Sequence, residues 1–89
     1  MKKDYMTDDG AGCIRFTDFP LAVTMMCLEY KLIAIEPEKG NSRRVHFIFE
    51  KSEAIEKLVL AYWNGNLLVD PKKFWNVSRE IKSRIQSYK

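Results

Sequence analysis

The sequence predicts a small α+β domain. It is an antiparallel β-hairpin, with a third short strand as a candidate addition, packed by three helices in the order (β)-α-β-β-α-α. Three observations carry that prediction. Leu21 to Tyr30 is apolar almost all the way round a helix, the mark of a buried one. Residues 32–50 read as two strands around a turn, the second alternating with period two. Beyond them, two segments repeat apolar residues at helical spacing on either side of strong stop and start signals.

Residues 1–12 are polar, with Asp8, Asp9, Gly10 and Gly12, and are expected to form a flexible arm ahead of one compact domain at 13–89. Cys13-Ile14-Arg15-Phe16 is the candidate extra strand. In the following Thr-Asp-Phe-Pro, Thr17 or Asp18 supplies a cap and Pro20 is tolerated in a first helical turn. The hairpin follows: Leu32 to Glu36, turn chemistry at Pro37, Gly40, Asn41 and Ser42, then Arg43 to Glu50. In that second strand Val45, Phe47 and Phe49 point to a buried face. Arg44, His46, Ile48 and Glu50 point to a half-wet one.

Ser52 caps the next helix, on which Ile55, Leu58, Val59 and Tyr62 share a face, and Gly65 fits the left-handed residue that ends it. Asp70-Pro71 starts the last helix, whose Phe74, Val77, Ile81, Ile85 and Tyr88 fall in a sector of about 80°. Tyr62 and Trp63 close one helix while Phe74 and Trp75 open the next. These aromatics are expected to meet at a helix–turn–helix corner and fix its angle. The expected core is Leu21, Met25, Leu28, Val45, Phe47, Phe49, Leu58, Val59, Phe74, Val77 and Ile81.

Eighty-nine residues suffice for one domain, and 46% hydrophobic with 30% charged residues is the balance of a folded chain rather than a disordered one. No apolar stretch follows the N-terminal lysines as a signal peptide requires, and no uncharged run approaches a membrane span. A cytoplasmic protein with reduced thiols at Cys13 and Cys27 is expected, a disulfide between them being the alternative.

The motifs, taken in order, resemble a family of short uncharacterised bacterial and phage-associated proteins, a domain of unknown function. They are Thr17-Asp18 with Leu21-Ala22, Lys31-Leu32 through Glu36, Arg43-Arg44-Val45-His46-Phe47-Ile48-Phe49, Tyr62-Trp63-Asn64-Gly65 and Val69-Asp70-Pro71. Such sequences often carry Gly after the first helix, where this chain has Glu29-Tyr30-Lys31. The resemblance implies a phage or mobile-element setting and brings no catalytic residue.

An enzyme is not expected. The single histidine, His46, lies mid-strand, and neither cysteine has a neighbouring base to lower its pKa. No cofactor or metal is expected: no ligands have finger-like spacing, and a hard-cation site would need Glu36 and Glu50 brought into register. Glu29-Tyr30-Lys31 has the E-x-K form of some nucleases but sits at a helix end. The strongest functional signal is charge. Residues 71–89 carry Lys72, Lys73, Arg79, Lys82, Arg84 and Lys89 against Glu80, a local +5, whereas the first 70 residues sum to −2. On the last helix Lys72, Trp75, Arg79, Lys82, Gln86 and Lys89 share a sector of about 100°, to which Arg43 and Arg44 add if the sheet edge lies nearby. Such a stripe neutralises three or four phosphates and stacks one base, so the expected partner is nucleic acid, DNA or RNA, without sequence specificity. The simpler alternative is a soluble helix face. The competing class is a protein-interaction module, acting on a host protein or on itself as a dimer through crowded aromatics or exposed strands.

Overall fold

The computed structural model describes residues 7–8, 12–38 and 41–87, with side-chain positions for all of these except 7, 8, 38 and 41–43. The elements are β1 (Thr7–Asp8), β2 (Cys13–Phe16), α1 (Phe19–Cys27), β3 (Leu32–Glu38), β4 (Asn41–Glu50), α2 (Glu53–Trp63) and α3 (Pro71–Gln86). This is the predicted α+β fold with a two-residue strand added at one edge. Residues 1–6 and 9–11 of the arm, Gly40 of the turn, and Tyr88 and Lys89 lie outside the described residues.

The sheet is antiparallel throughout, in the order β1-β2-β4-β3. The short strand Cys13–Phe16 therefore pairs with the second strand of the hairpin, not the first. β2 and β3 run parallel on either side of β4, and α1 crosses between them. Hairpin pairing extends beyond the predicted strands, with Pro37 opposite Val45 and Glu38 opposite Asn41. Pro37 is tolerated because β3 is an edge strand, where a missing N–H breaks no ladder.

Register separates the two faces. Ile14 and Phe16 of β2 lie opposite Phe49 and Phe47 of β4, and Ile35 of β3 lies opposite Phe47 from the other side. These five side chains meet Leu21, Ala22, Val23 and Met25 of α1, Ile55 and Val59 of α2, and Ile81 of α3 in one core. Phe16 stacks on Phe49 with ring centroids 5.5 Å apart. Of the expected core, Leu28, Val45, Leu58, Phe74, Val77 are only partly buried. All but Leu28 form its rim, because the sheet-facing residues of β2 and β3 fill the centre that the helices had been expected to supply.

The outer face of the sheet is drier than its alternation suggests. Ile48, expected on the half-wet side, is 5% exposed. It lies opposite Arg15 on β2 and Ala34 on β3. Arg15 reaches across β4 to Glu36, with Nη2 to Oε1 at 3.5 Å. The arginine thus lies beside the isoleucine, its Nε buried without a hydrogen-bond partner among the described residues.

Helix ends follow local chemistry. Asp18 caps α1, accepting a hydrogen bond from the Leu21 N–H at 2.9 Å, and Ser52 caps α2 by accepting from Ile55 at 3.1 Å. Asp70 caps α3, accepting from Lys72 at 3.4 Å. α1 and α2 end in the same motif. The Tyr30 N–H donates to Met25 and Glu29 to Met26; likewise Asn66 donates to Ala61 and Gly65 to Tyr62. The residue that must turn left-handed is Gly65 at φ +74° in α2 and Glu29 at φ +74° in α1. Glu29 thus takes a conformation that glycine ordinarily supplies at a helix end. Its side chain is held by Lys73 Nζ at 2.6 Å, and that ammonium draws the Glu29 carboxyl below its ordinary pKa.

A β-carbon at Gly65 would meet no atom within 4 Å, so Gly65→Ala tests the backbone conformation alone. It is expected to lower stability by about 1 kcal/mol. Chemical denaturation with an unchanged midpoint would contradict the left-handed turn.

The connection between α2 and α3 differs from the expected corner. Tyr62, at the end of α2, donates to Asp18 at the start of α1. Lys73, at the start of α3, pairs with Glu29 just past the end of α1. Residues 64–70 therefore run back along α1, about 13 Å for its nine residues. Both later helices lie antiparallel to α1 and pack against it. The two aromatic pairs are held at opposite ends of α1 and do not form one corner. Tyr62 and Trp63 contact each other edge-on at 4.9 Å, whereas Phe74 joins the core rim and Trp75 faces water.

Candidate nucleic-acid interface

The site is built on α3. Ile81 is fully buried, and Phe74, Val77 and Ile85 pack against the core, which fixes the rotation of the helix. The opposite face then points outward. Lys72, Arg79 and Lys82 are all exposed on it, and Trp75 is 59% exposed. Gln86 is exposed in the same sector, and Lys89 lies outside the described residues.

Charges on α3 divide between two flanks. On one, Lys73 is bound by Glu29 and Arg84 by Glu80 at 3.0 Å, an i,i+4 pair. Glu80 is the helix's single acid, and it faces away from the tryptophan stripe. On the other flank, Lys82 Nζ lies 5.8 Å from the centre of the Phe19 ring, a cation–π contact. Lys72 and Arg79 form no ion pair with any described residue. Trp75 likewise makes no ring contact or indole hydrogen bond among the described residues.

Arg44 is exposed on β4, where the pairing with β3 is irregular between Val45 and Asn41. β4 pairs with β2 only from Phe47 to Glu50, so at Arg44 it has β3 alone beside it. The Arg43 side chain lies outside the described residues.

A second concavity, of about 320 Å³, lies between the end of α1 and the start of α2, lined in part by Glu29, Tyr30, Lys31, Glu50, Lys51 and Ser52. Sequence reading missed it, because it depends on the end of β4 meeting the chain after α1. It brings Glu50 beside Glu29-Tyr30-Lys31, but Glu29 is committed to Lys73 and Lys51 lies 3.8 Å from Glu56. Glu36 and Glu50 do not converge: Glu36 lies opposite His46, and Glu50 opposite Cys13. Among the described residues no three His, Cys, Asp or Glu side chains cluster to hold a metal. Cys13 and Cys27 form no disulfide, and burial pushes the Cys27 thiol up, away from the reactive range.

The folded order of elements defines a small α+β domain. The chain belongs to the family described as Domain of unknown function (DUF5659), which it matches over residues 12–87. No curated protein and no solved structure matches it. Among the described residues no helix is long and apolar enough to cross a membrane.

Proposed function

We propose that this protein is a small non-catalytic binding domain that contacts nucleic acid through the outward face of α3, without sequence specificity. The observation that carries the reading is an exposed Trp75 set among Lys72, Arg79 and Lys82 on a face that has no acid. Exposing a large indole costs apolar burial, and a basic surround gives that exposure a use: phosphate attraction with base stacking. The resemblance of its motifs to phage-associated sequences is the support for a phage or mobile-element setting, and the two cysteines without a disulfide suit the cytoplasm.

The test is a binding titration with single- and double-stranded DNA and RNA at low and moderate salt. The wild type is expected to bind at low salt, weakening steeply as salt rises. Replacing Lys72, Trp75, Arg79 and Lys82 together by Ala should abolish binding while leaving the thermal melt intact, since all four are exposed. Retained binding by that variant would refute the site. The same mixtures with magnesium should contain uncut nucleic acid; cleavage lost in Glu50→Gln would overturn the non-catalytic reading.

A second reading has its own support. Leu60, Trp63 and Leu68, at the end of α2 and in the loop after it, are large apolar side chains left exposed. They suit docking on a host protein or on a second copy, as an interaction module such as a host-defence inhibitor would. Binding of that kind is barely sensitive to salt and would survive the α3 substitutions.

A further inference from the structure

We infer that the α3 stripe takes single-stranded nucleic acid, seating one unstacked base on Trp75 between two phosphates on Lys72 and Arg79. This rests on the nucleic-acid reading above and narrows it. The narrowing comes from how the cations of α3 are used. Lys73 and Arg84 are neutralised by Glu29 and Glu80. Lys82 is turned onto the Phe19 ring. Lys72 and Arg79 remain, exposed and without an acidic partner among the described residues. The Asp70 carboxylate near Lys72 accepts the backbone N–H that starts the helix. Trp75 lies three residues after Lys72 and four before Arg79, on one face of the helix. The two cations are separated by about 10 Å along the axis, with the indole between them.

That order of charge, ring and charge suits a strand whose bases are splayed from its backbone. A duplex offers phosphates at many spacings, but its base faces are already stacked on one another. Trp75 would reach one only by prising the stack open. In a single strand the base face is available, and stacking on an aromatic side chain tolerates any base. The structure thus supplies two phosphate contacts rather than three or four, together with a stack that only a single strand can use.

The experiment uses the full chain with the substitution Trp63→Phe, which leaves Trp75 as the single tryptophan, titrated by fluorescence with oligo-dT, oligo-U and a duplex of equal length. Single strands are expected to quench Trp75 and to bind roughly tenfold or more tighter than the duplex. The slope of log affinity against log salt is expected near −1.4, about −0.7 for each of two phosphates. Lys72→Gln or Arg79→Gln should each halve the slope, and Lys82→Gln should leave it unchanged. Trp75→Leu should erase the single-strand preference at unchanged slope, while Trp75→Phe keeps part of it. Equal binding of duplex and single strand without quenching would overturn this inference and leave the phosphate-binding reading standing. A slope near −2.8, lowered by Lys82→Gln, would overturn the two-phosphate footprint. No binding of any probe at low salt would overturn both readings. The oligo-dT and oligo-U arms separate DNA from RNA as the ligand.

Discussion

Phe47→Ala is expected to remove most of the stability of this domain. Phe47 is 1% exposed at the centre of the core face, flanked in the sheet by Phe16 on β2 and Ile35 on β3. The Phe19 ring, at the start of α1, lies 6.2 Å from its own. Removing the ring loses its transfer free energy and opens a cavity that three strands and a helix cannot close together. Phe→Ala in such a site costs about 3–5 kcal/mol. A domain of this length has a total stability on the order of 5 kcal/mol, at the low end of the usual range. The variant should be largely unfolded at 25 °C, visible as lost cooperativity in thermal and urea unfolding. A melt that coincides with wild type would show that the assignment of sheet faces is wrong. Ile48→Ala, on the outer face, is the useful comparison, because its neighbours Arg15 and Glu36 are flexible and can settle over the gap.

Asp18→Ala is expected to cost about 2 kcal/mol, more than a helix cap alone. One oxygen of its carboxylate, Oδ1, accepts both the Leu21 N–H at 2.9 Å and the Tyr62 hydroxyl at 3.2 Å. The first bond caps α1, and losing a cap costs about 1 kcal/mol. The second ties the end of α2 to the start of α1 across 44 residues, and a hydrogen bond contributes about 1 kcal/mol net. Together they should lower the melting temperature by roughly 8–16 °C in a domain this small. A double-mutant cycle with Tyr62→Phe isolates the second bond. If the two losses simply add, Tyr62 and Asp18 do not interact.

The same pair predicts alkaline behaviour. Partial burial, then the neighbouring Asp18 charge and its hydrogen bond, push the Tyr62 phenol up to about 12. Its folded pKa is raised above the unfolded value near 10, so its contribution is complete below pH 10 and is lost as pH climbs towards 12. Wild type should therefore lose more stability over that interval than Tyr62→Phe. Parallel losses would place the alkaline sensitivity elsewhere.

Local signals in the chain were legible wherever one residue type has one physical job. Asp18, Ser52 and Asp70 are caps because a short polar side chain satisfies an unpaired N–H. Gly65 takes a positive φ because glycine alone does so without steric cost. Glu29 takes the same conformation and gave no such signal. The motif that ends α1 demands it, and an ion pair to Lys73, 44 residues away, supports it. The amphipathic period of α3 was legible too, and with it the outward stripe of Lys72, Trp75, Arg79 and Lys82. Its partition into Lys72 and Arg79 without acidic partners and Lys82 on Phe19 was not, since Phe19 lies 63 positions earlier.

By itself, the sequence determined the three helices and the hairpin, their order, their caps and which face of each helix is apolar. Those properties arise within a few residues, from backbone sterics and from the 2.0 and 3.6 periodicities. Tertiary structure alone decided which strand lies beside which, that α1 separates α2 from α3, and that Ile48 is covered from the solvent side. Each depends on long-range pairing. The apolar surfaces of β2, β3 and β4 are chemically alike, so only their joint packing against one helix selects the arrangement that buries them all.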